Sequence, residues 1–288
     1  MQHTTKWKVT PLAVILAALF STSALADEDN TVDNSGAEST QTEESASCFV
    51  CNVSGAVSLS YDTNIYNKDD HRSVRNLSWS GDLSYKLSSN TKVYFSTGGY
   101  RAFEDETGTY ATDSVLGLSY SNLYNFGETG KIGASGQFTI PTSESSEKDE
   151  LQTAFRLSVP VTLTAWDINF SISPRLRKNF HKYKTAGGKS LTEWTYSLST
   201  SAVKSWDSLS IGITALGGNT VSYQGTRRSS WNYEGSLYAD YSFSDSWSMT
   251  LTASSSGFYQ DAERGTIGNI DLLDQENASY TATVTFSF

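Results

Sequence analysis

The chain has 288 residues, of which 31 are acidic and 21 basic, for a formal net charge of −10. That balance argues against a nucleic-acid partner, because neutralising phosphates requires basic surface. Sixteen Tyr, thirteen Phe and seven Trp stand beside only four Pro, and beyond residue 26 no apolar stretch approaches the ~20 residues of a membrane-spanning helix.

Residues 1–26 read as a secretory signal. Lys6 and Lys8 precede an apolar run from Leu12 to Phe20, and Ala24-Leu25-Ala26 forms an A-x-A cleavage pattern. Removal leaves 262 residues (288 minus 26) with a charge of −12 (19 minus 31). Residues 27–51 follow as an acidic tail. Asp27, Glu28, Asp29, Asp33, Glu38, Glu43 and Glu44 face no basic residue and no apolar period, which predicts a disordered periplasmic segment. Cys48 and Cys51 form CFVC at its end. A disulfide is the expectation for an oxidising compartment, with a docking element for a periplasmic partner as the alternative. Haem attachment would need His at position 52, which is Asn52, and no further Cys is present to complete a zinc site.

From Asn52 onward, alternation with period two dominates. Val53, Val57, Leu59 and Tyr61 share one parity of the first predicted strand; Leu77, Trp79, Leu83, Tyr85 and Leu87 share one parity of the second. Val93 and Phe95 mark the third, Leu116, Leu118 and Tyr120 the fourth, and Ile132, Ala134, Phe138 and Ile140 the fifth. Leu151, Phe155, Leu157 and Val159 mark the sixth, and Trp166, Ile168, Phe170 and Ile172 the seventh. Trp194, Tyr196 and Leu198 mark the eighth, Leu209, Ile211 and Ile213 the ninth, and Trp231, Tyr233, Leu237, Ala239 and Tyr241 the tenth. Trp247, Met249, Leu251 and Ala253 give the eleventh, and Ala278 to Phe288 the twelfth.

Short connections are predicted at Ser88-Ser89-Asn90, Pro160, Ser205-Trp206-Asp207 and Ser244-Asp245-Ser246, with one of middling length between Tyr120 and Lys131. Long ones fall near 62–73, 102–111, 141–150, 179–190, 217–228 and 256–275. Short and long alternate, as in an all-β, up-and-down antiparallel barrel crossing a membrane, with short periplasmic turns and longer extracellular loops. An even strand count leaves both termini on the periplasmic side. A soluble β-sandwich shares the alternation, but its strands average five or six residues rather than about ten. Tyr85, Trp247, Phe286 and Phe288 are expected at a periplasmic aromatic girdle, and Tyr61, Tyr100, Trp194 and Trp231 at an external one.

The final strand, YTATVTFSF, ends in Phe288 and carries hydrophobic residues at every second position back through Phe286 to Tyr280. It resembles the carboxy-terminal signature of bacterial outer-membrane β-barrel proteins. The resemblance covers residues 52–288 as architecture. It implies an assembly machinery that reads Tyr280, Phe286 and Phe288, and a last strand that closes on the first. By strand count the chain is similar to several twelve-stranded groups, including oligogalacturonate-type monomeric porins and outer-membrane phospholipases.

The inward parity is mostly small and polar: Ser58, Ser78, Ser96, Gly133, Ser135, Ser171, Ser197, Ser199, Thr250, Thr252, Thr281 and Thr283. Eight-stranded barrels fill their interiors and sixteen-stranded ones leave a channel, so short side chains at twelve strands favour a narrow aqueous passage. Charged lumen candidates are Arg156, Arg175 and Arg177 on neighbouring strands, with Asp82, Asp167, Glu193, Glu234 and Asp240 elsewhere on the wall. Two readings stand: the arginines form a basic ladder that draws anions, or they pair with Asp167 and Glu193 and only stiffen the wall. Pro174 predicts a bulge or the upper end of the strand, in which case Arg175 and Arg177 face a loop instead of the lumen.

His71 and Ser73 have the two-residue spacing of a His-x-Ser hydrolase pair on a strand, yet they sit in a charged segment without a third member. No catalytic residue is assigned. Glu144, Glu147, Asp149 and Glu150 in the third long loop, and Asp261, Glu263, Asp271, Asp274 and Glu276 in the sixth, lack EF-hand spacing. Acidic loops bridged to lipopolysaccharide by divalent ions are the simpler expectation. The sequence thus predicts an outer-membrane channel for passive diffusion of small hydrophilic solutes, with no cofactor and no metal. Its expected partners are outer-membrane lipid, lipopolysaccharide and the assembly machinery. A lipid hydrolase or deacylase, or a structural or adhesive surface barrel, is the alternative.

Overall fold

A computed structural model describes residues 52–104, 107–228, 230–260 and 278–288. The signal, the acidic tail, Cys48, Cys51 and most of the sixth loop lie outside the described residues. The barrel occupies the compact unit Val53–Phe288.

Twelve staves run antiparallel around it: β1 Val53–Asn64, β2 Arg75–Lys86, β3 Thr91–Ala102, β4 Ser114–Phe126, β5 Gly130–Ile140, β6 Leu151–Ser158 continued by Val161–Ala165, β7 Ile168–His181, β8 Thr192–Trp206, β9 Leu209–Ser222, β10 Ser230–Ser244, β11 Trp247–Gln260 and β12 Ala278–Ser287. Each pairs with its sequence neighbours, and β12 pairs back onto β1 from Ala56↔Ser287 to Asn64↔Ser279. At ~3.3 Å per residue and the ~40° tilt usual in such barrels, twelve residues rise roughly 30 Å, enough to cross a hydrocarbon layer.

Two predicted connections are corrected. Pro160 is not a turn. Ser158 pairs with Arg175 and Val161 with Ile172, so one register runs through Val159–Pro160 and β6 is a single stave. Pro160 lacks the N–H that would complete its ladder pair, but its carbonyl accepts from Gly133 N at 2.8 Å. Pro174 lies directly opposite this break, and its carbonyl accepts from Val159 N at 3.1 Å. Pro174 therefore sits in mid-strand, where its register with Leu198 on β8 is regular. The real turn is Trp166-Asp167, both at positive φ (54° and 58°), the conformation that two-residue hairpins require. The middling connection is also short: β4 runs on through a register shift between Tyr120 and Tyr124 to Phe126, leaving Gly127 to Thr129 as the turn. The five short turns therefore all lie at one end, and the long loops at the other.

The distribution of polarity is inverted relative to a soluble protein. Buried apolar residues among those described are only Ala102, Val115, Leu151, Ala154 and Ala278, whereas Ser58, Asn76, Gln137, Thr139, Ser173, Ser254 and Ser255 are buried. Val57, Leu59, Trp79, Leu83, Leu118, Ile172, Leu198, Ile213, Leu237, Leu251 and Val284 are exposed on the outer face. A continuous apolar band of that extent is untenable in water and is the condition for contact with hydrocarbon. This disposes of the sandwich alternative. Trp247, Phe286 and Phe288 pack together at the turn end, with ring centroids 5.0 and 6.1 Å apart, and Trp231 meets Tyr196 edge-on at 5.7 Å at the loop end.

Candidate functional site

The inner face is lined by hydroxyls that pair across strands. Ser58 bonds Thr285 at 2.9 Å, Ser60 bonds Thr283 at 2.8 Å, Ser135 bonds Ser158 at 2.8 Å, Thr214 bonds Ser236 at 2.6 Å and Ser254 bonds Ser279 at 2.8 Å. Each pair satisfies one oxygen with the next and still leaves lone pairs and a rotatable proton for water or a solute.

Large tyrosines interrupt the run of small residues, among them Tyr100, which is opposite Ser78 on the inward parity and not in the external girdle expected of it, and Tyr94 and Tyr238. Tyr94 on β3 lies flat across Gly117 on β4, and Tyr238 on β10 across Gly212 on β9. A Cβ on either glycine would lie 2.2 or 2.4 Å from the tyrosine Cζ. Tyr94 Oη donates to Gln137 Oε1 at 3.1 Å, and the same oxygen accepts from Arg156 Nη2 at 2.6 Å. Tyr94 and Gln137 were missed in the sequence, although both have inward parity, because neither is charged.

Arg156, Arg175 and Arg177 cluster on the inner face of β6 and β7. Arg156 is directly opposite Arg177, and Arg175 is opposite Ser158. Arg177 Nε donates to Asn179 Oδ1 at 2.8 Å, and Asn179 Nδ2 donates onward to Thr192 O at 3.1 Å. Arg156 and Arg177 thus bond amide oxygens, which orients the guanidinium groups, and the Asp113 carboxylate lies within electrostatic reach of Arg177.

The proposed neutralising partners are elsewhere. Asp167 lies in the turn at the far end of β7. Glu193 pairs with Lys178 at 3.4 Å, and Lys178 shares the outward parity of Trp194, its register partner. A register shift between Thr192 and Trp194 turns Glu193 to that side, so neither acid joins the arginine wall.

The remaining acids occupy the opposite side of the cylinder. Asp82 accepts from Ser96 Oγ at 2.5 Å, and Asp240 from Thr250 Oγ1 at 2.5 Å. Glu234 faces inward on β10, in register with Leu216 and Ser256. Asp62, which the sequence placed in a loop, extends β1 and accepts from Thr281 at 2.6 Å and Ser78 at 3.4 Å. These four lie on β10, β1 and β2, centred on β12, and the arginines lie on β6 and β7, half a turn away.

His71 and Ser73 do not come together. The His71 side chain is 90% exposed, with Nδ1 3.3 Å from Asp70 Oδ1, whereas Ser73 is 3% exposed and its hydroxyl faces Tyr66 O at 3.5 Å. Both precede β2 in the first loop. Arg72 hydrogen bonds, from side chain and backbone, hold the Asp70 carboxyl down at about 2. The Ser73 hydroxyl, followed by Arg75, keeps Glu104 below the usual carboxylate range against the opposing effect of burial. These contacts order the loop and leave His71 without the serine proton to accept.

No protein-family model matches the chain, and no curated protein is significantly similar to it. Among solved structures, an outer membrane channel from Pseudomonas putida F1 aligns over 82% of this chain and 95% of its own, at 13% identity and a TM-score of 0.54. The NanC porin aligns over 81% and 98%, at 11% identity and a TM-score of 0.51. The KdgM porin aligns over 81% and 99%, at 10% identity and a TM-score of 0.48. The first two likenesses, with the closed register of β1 on β12, establish the architecture. The chain is a twelve-stranded antiparallel β-barrel of the bacterial outer-membrane type.

Proposed function

We propose that this barrel is an outer-membrane channel through which small hydrophilic solutes diffuse passively, with anions favoured at Arg156, Arg175 and Arg177. The arginine wall carries this reading. Three guanidinium groups lie within two residues of one another in register on adjacent strands, whereas the four facing carboxylates are spread along the axis from Asp62 near the loop end to Asp240 towards the turn end. Three of those carboxylates already accept hydroxyl protons. In a narrow passage of low dielectric, charges of one sign at one level set ion preference. The hydroxyl lining replaces part of the hydration shell of a passing solute, so no covalent chemistry is needed.

Single-channel recording of the refolded mature protein in planar bilayers tests the proposal. Conductance is expected, with a reversal potential in a salt gradient that reports anion preference. A sample with the folded barrel's heat-modifiable mobility that never conducts would end the channel reading.

A further inference from the structure

A second charged surface lies outside the lumen, at the loop end over β7 to β10. On residues 178–196 and 217–231 the chain carries Lys178, Lys182, Lys184, Lys189, Arg227 and Arg228 against a single acid, Glu193, in a protein whose net charge is −10.

Register aligns part of this surface into a row. Lys178 is opposite Trp194, Trp194 is opposite Val221, and Val221 bridges to Arg227. All share the lipid-facing parity. With strands ~4.8 Å apart, the backbones at the two ends of the row are separated by roughly 14 Å. Lys178 Nζ lies 4.6 Å from the Trp194 ring, and the Arg227 guanidinium 5.8 Å from the Trp231 ring. The girdle aromatics thus hold cationic heads at the height where hydrocarbon gives way to headgroups.

The row is pre-organised from beneath. Asn219 has outward parity yet is 1% exposed, an anomaly on a lipid-facing strand. Its Nδ2 donates to Arg228 O at 3.0 Å, and Arg228 N donates to Thr220 O at 3.0 Å, which fixes the backbone immediately after Arg227 in register with Val221. Tyr223 ties the neighbouring loop. Its N–H donates to Leu191 O at 3.1 Å, and its hydroxyl donates to Asn179 O at 2.7 Å and accepts from His181 N at 3.1 Å. Glu193 faces Lys178 at 3.4 Å, and Glu150 faces Lys182 at 3.6 Å; Arg227 and Arg228 are exposed.

We propose that this face binds the phosphorylated headgroup of an outer-leaflet lipid, with Lys178 and Arg227 on its phosphates and the acyl chains against the band below Trp194 and Trp231. The separation of Lys178 from Arg227 suits two phosphates on one headgroup rather than a single ion. The inference rests on the barrel spanning an outer membrane, but not on conduction.

The test uses the full mature protein in nanodiscs, with diphosphoryl lipid A, its dephosphorylated form and inorganic phosphate as separate probes. Wild type is expected to prefer the diphosphoryl lipid. At about fivefold per interfacial cation, the combined variant Lys178→Gln, Arg227→Gln is expected to weaken that binding by roughly twenty-five-fold. Lys204→Gln, beside Trp206 at the opposite rim, should leave it unchanged. Equal binding of the two lipid forms, an unaffected double variant that folds, or inorganic phosphate bound as tightly as the lipid would each overturn the proposal. If the double variant fails to show heat-modifiable mobility, the wild-type preference between the two lipid forms decides. A barrel that discriminates the lipids but never conducts would sink the channel reading and leave this one standing.

Discussion

The ring of Phe288 lies over Gly55, across the seam where the last stave meets the first. Gly55 N donates to Phe288 O at 2.9 Å, and Phe288 N returns the bond to Gly55 O at 3.0 Å. A Cβ on Gly55 would lie 2.5 Å from Phe288 Cζ and 3.0 Å from the Asp82 carbonyl. The last stave is therefore fastened to the first by a pair of backbone bonds beneath an aromatic ring that a side chain at position 55 would have to displace.

Gly55→Val should destabilise the closed barrel by ~1–3 kcal/mol, the usual range for overpacking, and lower the temperature at which the folded band is lost. Because the two residues touch, Gly55→Val combined with Phe288→Ala should cost less than the sum of the single changes. Additive effects would show that the contact does not guard the seam.

Arg156→Gln and Arg177→Gln should each reduce anion preference in reversal-potential measurements, and the double variant should remove most of it while the fold persists. Glu193→Gln should leave selectivity unchanged, since Glu193 pairs with Lys178 at the outer rim. A selectivity change from Glu193→Gln as large as that from Arg156→Gln would contradict the placement of charges on the wall.

Gly117→Ala should displace the Tyr94 ring, because the added methyl falls 2.2 Å from its Cζ. The ring then swings into the passage and the bond to Gln137 at 3.1 Å is lost. Single-channel conductance should fall. Tyr94→Phe, which keeps the ring in place and removes only the hydroxyl, should alter stability by about 1 kcal/mol and conductance much less.

The first loop should be acid-sensitive. The Asp70 carboxyl is held at about 2 by Arg72, below its ordinary 3.8. A depressed folded-state value means that the contact stabilises the loop above pH 3.8 and is lost as pH falls through about 2. Carboxyl chemical shifts should report a midpoint near 2 for Asp70 in the folded protein, returning towards 3.8 in Arg72→Gln. A midpoint already at the ordinary value would remove Arg72 as the cause.

Much of the architecture was legible along the chain because the strand pleat is local. Alternation at Leu77, Trp79 and Leu83 names the lipid face without reference to any neighbour, and the same period placed Arg156, Arg175 and Arg177 on one inner wall. What escaped depended on partners distant in sequence. Pro160 reads as a turn in isolation, yet β5 and β7 hold it inside a continuous stave. Glu193 changes side through one register shift against β9, which no periodicity announces. Whether the arginines were neutralised was open in the sequence, because an ion pair is set by distance in space. Only the closed cylinder put Gln137 and Asn179 beside two of them, brought Asp113 within electrostatic reach of Arg177, and set Asp62, Asp82, Glu234 and Asp240 half a turn away.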